Sequence, residues 1–209
     1  MGEGDQSAYC LTIELLKGRG GVRKPAKELI RRYPQNADLY NLYALFEWAN
    51  GSTEIAKSVL SSATRLGEPS SVTILPLWLT WAWTEFVDGA PLSRVLSRLC
   101  FSGDDGEGPS PTAVLRHKQE LYSLSDKLLA RGDLEGFSTT AKIIVLLEYL
   151  TSTGGSEPRS ERQGSISSAM EAIWLHSGVA VAGDRRKSVQ HEELLNFAAM
   201  LLYVHTTLG

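Results

Sequence analysis

The chain has 209 residues, of which 43% are apolar and 22% are charged, as in an ordinary globular protein. Its formal net charge of −3 excludes a basic field over the whole molecule, so any RNA-binding patch must be local. Cys10 and Cys100 form no CxxC pair, which is typical of a reducing compartment, and the longest apolar run is far shorter than the roughly 20 residues of a membrane span.

The first part of the chain is predicted to be helical. A helix over 6–17 is followed by a glycine-rich loop at 17–21 and by a basic helix over 22–33. The pair Tyr33-Pro34 ends this helix, because proline disfavours the helical conformation at the residue before it.

The stretch 38–66 predicts a pair of antiparallel helices. Its first half has an apolar stripe with helical spacing at Leu39, Leu42, Tyr43 and Phe46. Gly51 ends that helix, and Ser52 or Thr53 caps the next one. Two helices joined by so short a turn must lie antiparallel and bury their facing stripes.

A second hairpin follows at a constant offset of 38 residues. At this offset Trp78 corresponds to Tyr40, Trp81 to Tyr43, Glu85 to Glu47 and Gly89 to Gly51. Pro76 lies in the first turn of its first helix and Pro91 opens its second. Arg94 falls at the position of Ala56, so the second helix departs from the pattern. Four matches at one offset indicate an internal repeat of the size found in helical solenoids.

The rest of the chain predicts four more helices and two flexible loops. The helices cover 112–130, 134–152, 165–177 and 188–206, the loops cover 102–111 and 153–164, and turns lie at 131–133 and 183–187. The apolar run 143–147 has a strand as its alternative, but the long helical frame favours a helix buried on several sides. Leu115 is assigned to an inner side and Trp174 to the core.

Patterns for catalysis or metal binding are missing from the sequence. The four histidines form no HExxH, HxH or Cys/His set. Glu47 and Glu85 occupy equivalent repeat positions, which makes a paired-carboxylate site conceivable. A glutamate at a fixed repeat position more often hydrogen-bonds between helices, so we predict no catalytic, cofactor or metal site.

Two groups of residues are candidates for contacts with other molecules. Trp78 and Trp81 are assigned to the core, whereas Trp48 and Trp83 lie off the main stripe and either pack on the next repeat or face a partner. The candidates for partner binding are Trp48, Trp83, Phe197, Leu201 and Tyr203. The candidates for RNA contact are Arg23, Lys24, Lys27, Arg31 and Arg32, for which a solvated charged face is the commoner explanation.

The spacing of the first hairpin resembles the half-a-TPR (HAT) repeat of RNA-processing scaffolds. The residues that carry this resemblance are Tyr40, Tyr43, Glu47, Gly51 and Ala56. Four longer stretches, DLYNLYALFEWANGSTEIAKSVLSSA, LPLWLTWAWTEF, AKIIVLLEYLTS and NFAAMLLYVHTTL, together resemble the fungal branch of the NRDE (nuclear RNAi-defective) family. The resemblance covers most of residues 28–208.

The hairpins and the resemblance together predict an all-α protein of antiparallel helix hairpins stacked as a HAT/TPR-like α-solenoid. A single domain over 5–209 is expected, interpreted as a fragment of a longer protein. The apolar last helix is expected to be covered by further chain or by a partner.

The NRDE resemblance implies a non-enzymatic scaffold in the nucleus, linked to the exosome, the splicing machinery and RNA silencing. The implied partner is a protein adaptor or helical peptide of an RNA-processing complex, with RNA held indirectly and with no membrane, cofactor or small-molecule substrate. The long polar N-terminal region that carries the family's helicase contacts has no counterpart in this chain. Direct RNA binding through the basic helix 22–33 is the alternative.

Overall fold

A computed structural model describes residues 23–104, 106–152, 164–177 and 185–208. These residues form nine α-helices and no strand, so the prediction of an all-α protein is confirmed for them. The helices are α1 (Arg23–Arg32), α2 (Ala37–Ala49), α3 (Thr53–Ala63), α4 (Leu75–Val87), α5 (Leu92–Leu99), α6 (Pro111–Arg131), α7 (Leu134–Thr151), α8 (Ile166–Ser177) and α9 (Arg185–Leu208). The predicted helix over 6–17, the loop at 17–21 and nearly all of the 153–164 loop lie outside the described residues.

One predicted boundary is wrong. The basic turn expected over 183–187 is only in part a turn, because α9 already begins at Arg185. Residues 183 and 184 lie outside the described residues. No glycine or proline follows Gly183 before the apolar stripe, so nothing in the sequence prevents the helix from starting early.

The backbone divides into two compact units, Met1–Thr84 and Glu85–Gly209, and the division falls within α4. In the first unit α2 packs against both α1 and α3. The core of this packing consists of Ala26, Leu39 and Tyr43, with partly buried apolar side chains around them. The side chain of Asn36 caps α2 by accepting a hydrogen bond from the backbone N–H of Leu39 at 3.2 Å.

The two hairpin turns have the same hydrogen-bonded cap. Gly51 and Gly89 both adopt left-handed backbone conformations, with φ of 78° and 74°. The carbonyl of Glu47 accepts from the N–H of Ser52 at 2.8 Å, and that of Glu85 accepts from the N–H of Ala90 at 2.9 Å. This is the Schellman arrangement, in which a left-handed residue lets the chain turn back onto its own last carbonyls.

The 38-residue offset is kept by the first helix of each hairpin but not by the second helix. Helices α2 and α4 begin and end 38 residues apart, whereas α3 and α5 begin 39 apart because the second turn is one residue longer. The counterpart of Ala56 is therefore Val95 and not Arg94, and both Ala56 and Val95 are buried. The departure from the pattern that the sequence suggested at Arg94 is a shift of one residue in the turn.

Helix α7 is the centre of the second unit, and α5, α6, α8 and α9 all pack on it. Its residues 143–147 are all 0% exposed, as expected for a helix that is apolar on all sides. Three polar side chains of α7 form hydrogen bonds or ion pairs with α6 and α9. The contacts are Lys118 with Glu148 at 2.8 Å, Lys142 with Glu193 at 3.0 Å, and the hydroxyl of Tyr149 with Nδ1 of His205 at 2.9 Å.

The inner side of α6 is narrower than predicted. Val114, Leu121 and Leu128 are buried, but Leu115 is 59% exposed, so its assignment to the inner side is wrong. Successive residues of a helix are rotated by about 100°, which places Leu115 beyond the edge of the stripe that Val114 begins.

We expect replacement of Gly51 by alanine to destabilise the protein by about 1 kcal/mol, because alanine resists the left-handed conformation. No atom lies within 4 Å of the position that an added Cβ would take, so backbone strain is the only cost. Gly51→Asn is the matched control and should lose less stability, since asparagine tolerates this conformation. Urea unfolding measures both, and a Gly51→Ala protein as stable as the original would contradict the assigned cap.

We expect Gly164→Ala to destabilise the protein by about 1–3 kcal/mol, because an added Cβ would collide with the backbone carbonyl of Tyr149. The next residue, Ser165, donates its N–H to that carbonyl at 2.7 Å, which fixes the start of α8 against α7. Gly106→Ala is the control, since its Cβ would meet only the Asp104 carboxylate at 3.5 Å. Equal effects of the two substitutions on the unfolding midpoint would refute the close approach.

Candidate functional site

The structure separates the five candidates for partner binding. Phe197 and Leu201 lie on the inner stripe of α9 and are buried, and Trp83 is buried in α4. Trp48 is half-buried, whereas Tyr203 is 70% exposed. The interpretation of Trp83, Phe197 and Leu201 as partner contacts is therefore not retained, because these side chains stabilise the fold and leave little surface for another molecule.

Trp174, assigned to the core from the sequence, is instead 72% exposed. The sequence of α8 contains two overlapping apolar stripes that differ by one residue. The buried stripe is Ala169, Ala172, Ile173 and His176. Its small residues bring α8 close to α7 and turn Trp174 outward.

The outer sides of the last two helices form the largest group of exposed apolar side chains in the described residues. We use the name α8–α9 face for the exposed large apolar side chains of α8 and of α9 from residue 194 onward, which are Met170, Trp174, Leu175, Leu195, Met200, Leu202 and Tyr203. Helices α8 and α9 contact each other, and both pack on α7. Single exposed apolar residues are common, whereas exposed apolar side chains that cluster in one patch are characteristic of an interaction site.

The α9 part of this surface is free of formal charge. The stretch 194–208 contains no Asp, Glu, Lys or Arg. Its one histidine, His205, is used internally through its hydrogen bond with Tyr149. A molecule that covers this α9 stretch does not need to desolvate an ionised side chain of 194–208, which would be costly, whereas the exposed Glu171 lies among the exposed apolar residues of α8.

The five RNA-contact candidates on α1 are not equivalent. Arg23 donates two hydrogen bonds to the carboxylate of Glu47, at 2.7 and 2.9 Å, and a third to the hydroxyl of Ser52 at 2.9 Å. It therefore joins α1 to the first hairpin. Lys24, Lys27, Arg31 and Arg32 are exposed, and the guanidinium of Arg32 lies 5.5 Å from the centre of the Tyr33 ring. Direct RNA binding by this helix stays a prediction.

The carboxylate of Glu47 is fully buried and ionised in its arginine pair. Burial by itself opposes ionisation, but the hydrogen bonds from Arg23 and its positive charge, with Tyr43 and Ser52 nearby, outweigh it and hold the pKa of Glu47 below its ordinary value. Burial and then the proximity of Glu47 raise the pKa of Tyr43 to about 12. This is a structural ion pair that joins helices, as the repeat position suggested.

Glu85, at the equivalent repeat position, is also buried beside an arginine. Its Oε2 lies 3.4 Å from Nε of Arg98, on the following helix α5. Arg98 is 1% exposed and donates further hydrogen bonds to the carbonyls of Ser102 and Asp104, at 2.9 and 3.0 Å. Each of the two glutamates is thus paired with its own arginine.

Three titratable side chains of the second unit, His176, His117 and Cys100, are largely buried. His176 stacks on Tyr122 and its Nδ1 lies 2.8 Å from the carbonyl of Ala172, while burial lowers its pKa. Burial also lowers the pKa of His117, whose Nε2 lies 2.9 Å from the carbonyl of Leu99. Burial raises the pKa of Cys100 to about 11, so the thiol stays protonated at neutral pH.

No group of three or more metal-ligating side chains occurs within the described parts of the chain. Of the helices that the structure describes, none combines the length and apolar character needed to cross a bilayer. The absence of an enzymatic activity stays a prediction.

No protein-family model, curated protein or solved structure matches this chain. The resemblance to the NRDE family therefore stays a prediction that rests on the stretches quoted from the sequence.

The Glu47 pair predicts loss of stability in acid. The unfolded chain protonates this carboxylate near pH 4.5, while the folded protein keeps it ionised to lower pH. The unfolded state therefore binds more protons in this window, and the free energy of unfolding falls as the pH falls below about 4.5. Glu47→Gln should make this dependence shallower in urea unfolding between pH 3 and pH 6, roughly the range of carboxylate titration.

Glu54→Gln is the matched control, since Glu54 is an exposed carboxylate of α3 whose ion-pair partner is the adjacent Lys57. If the two variants show the same pH dependence, Glu47 does not carry the predicted share of acid sensitivity.

Proposed function

We propose that this chain is a protein-interaction module that binds a partner through the α8–α9 face. The observation that carries the proposal is the group of exposed apolar side chains on two adjacent helices, without a formal charge over 194–208. Full burial of one large apolar side chain contributes about 1.5–3 kcal/mol. A few such side chains at the centre of an interface supply most of the binding energy in typical complexes.

The partner that fits this surface is an amphipathic helix of a protein adaptor. Two parallel or antiparallel helices leave a shallow groove between them, into which the apolar side of a third helix can pack. Trp174 and Tyr203 are the best candidates for central contacts, because aromatic side chains dominate interface hot spots and these two are the most exposed of the group.

We propose further that the helix hairpins stack as a HAT/TPR-like α-solenoid. Support comes from the 38-residue offset between α2 and α4 and from the matching caps at Gly51 and Gly89.

The biological setting that the sequence resemblance favours is a nuclear, non-enzymatic scaffold of RNA processing and RNA silencing, linked to the exosome and the splicing machinery. In this role the protein holds an adaptor on its helical surface, and RNA is reached through the complex. The internal use of Arg23, Glu47, Glu85 and Arg98 in ion pairs is compatible with a scaffold.

The test is crosslinking and affinity purification from nuclear extract with the full chain. We expect Trp174→Ser combined with Tyr203→Ser to reduce capture of the specific partner by about tenfold or more, because both side chains are truncated at the proposed contact. Both residues are largely exposed, so the thermal unfolding midpoint should change little. Crosslinks should fall on α8 and α9, and the lost proteins should be RNA-processing factors.

Leu115→Ser is the matched control, because Leu115 is an exposed apolar residue on α6 outside the proposed surface. Equal capture by the double variant and the control would overturn the assigned surface. If the double variant instead loses a partner that belongs to an unrelated cytosolic process, this result would support the assigned binding surface and contradict the nuclear RNA-processing role.

A further inference from the structure

A groove opens in the first unit where α1 meets the first hairpin. It has a volume of about 400 Å³ and is lined by residues of α1, α2 and α3 together with Pro34. Ile30, Tyr43 and Val59 form an apolar floor that continues into the core of the unit. A cavity of this size holds one or two side chains of another molecule.

Tyr40 stands at one side of the groove in a fixed orientation. Its hydroxyl donates a hydrogen bond to the carbonyl of Pro34 at 3.2 Å, so the ring is held across the turn that joins α1 and α2. The hydroxyl of Ser62, on the other side, donates to the carbonyl of Ser58 at 2.9 Å within α3. The hydroxyls of Tyr40 and Ser62 are thus bonded within the chain, and the space between them is suited to an apolar side chain.

Two cations lie on the rim. Lys27 and Arg31 are four residues apart on α1, line the groove and are exposed. Neither forms an ion pair with any carboxylate in the described residues, whereas Arg23 on the same helix is fully engaged with Glu47. An anion from outside the chain can therefore bind here without displacing an internal partner.

We propose that this groove binds a short acidic peptide segment of a partner protein, with one apolar side chain on the floor and carboxylates beside Lys27 and Arg31. The apolar floor favours an apolar side chain of the ligand, and the two unpaired cations on the rim favour carboxylates. The site lies in the first unit and is independent of the α8–α9 face, so this proposal goes beyond the proposed function.

A peptide fits this groove better than a nucleic acid does. Single-stranded RNA is held by exposed aromatic rings on which bases stack, together with a track of several cations. Tyr43 is 3% exposed and lies in the floor, and the edge of Tyr40 is fixed by its hydrogen bond. Two rim cations suffice for the carboxylates of a peptide, and an apolar floor offers nothing to a phosphate.

The test begins with selection from a displayed library of short random peptides on the full chain. We expect the enriched peptides to carry Asp or Glu beside a Leu, Phe or Trp residue. A fluorescent copy of the most enriched peptide is then titrated with the protein. Lys27→Glu combined with Arg31→Glu should weaken its binding by about tenfold or more, and higher salt should weaken binding to the original protein.

Lys24→Glu combined with Arg32→Glu is the matched control. Both double variants change the net charge of α1 by the same amount, and each has one substitution in the last turn of the helix. Lys24 and Arg32 do not line the groove, however. This variant should bind the peptide within about twofold of the original, since long-range effects of exposed charges are screened by salt. Ser62→Trp should also abolish binding, because it fills the groove without changing a charge.

Several outcomes would overturn the proposal. They are the recovery of no peptide, enriched peptides without acidic residues, equal loss of binding in the two charge-reversed variants, and retained binding in Ser62→Trp. A uridylate oligonucleotide that binds more tightly than the peptide and is sensitive to Lys27→Glu and Arg31→Glu would instead identify RNA as the occupant. The variant with Trp174→Ser and Tyr203→Ser should bind the peptide normally, so the outcome at one surface is separate from that at the other.

Discussion

The burial of α7 on all sides governs the second unit. A helix whose residues 143–147 are apolar in every direction cannot remain in water, and four other helices supply the walls that it needs. Each buried large side chain contributes about 1.5–3 kcal/mol, which must offset the entropy of ordering the chain. The surrounding helices consequently turn inward the stripe that fits α7 most closely. Apolar residues that do not fit, such as Trp174 and Leu202, are left on the outside.

The first unit is organised around turns and one ion pair. The left-handed glycine at position 51 returns the chain sharply, so that α2 and α3 pack as a hairpin. Arg23 then fastens α1 to that hairpin through Glu47, a buried carboxylate that would be costly to leave unpaired. With Arg23 committed to this internal role, Lys27 and Arg31 are the cations left beside the groove. Within this one basic helix, Arg23 stabilises the fold, whereas Lys27 and Arg31 can bind a ligand.

The two candidate surfaces have opposite chemistry. The α8–α9 face is apolar and uncharged over 194–208, so binding there should depend little on salt. The groove beside α1 combines an apolar floor with two rim cations, so binding there should depend on charge as well as on shape.

Within the described residues, the sequence by itself determined the helices, their order and most of their boundaries, because these depend on local spacing and on the backbone preferences of glycine and proline. The hairpin of α2 and α3, the stop at Gly89 and the burial of 143–147 were all predictable in this way. It did not determine which of two overlapping stripes is buried. Trp174 and Leu115 were assigned inward and lie outward, while Phe197 and Leu201 were assigned to a partner and lie inside. Only the tertiary structure decided these cases, because adjacent stripes on a helix are nearly equal in hydrophobicity and the neighbouring helix selects the one whose shape it can pack against.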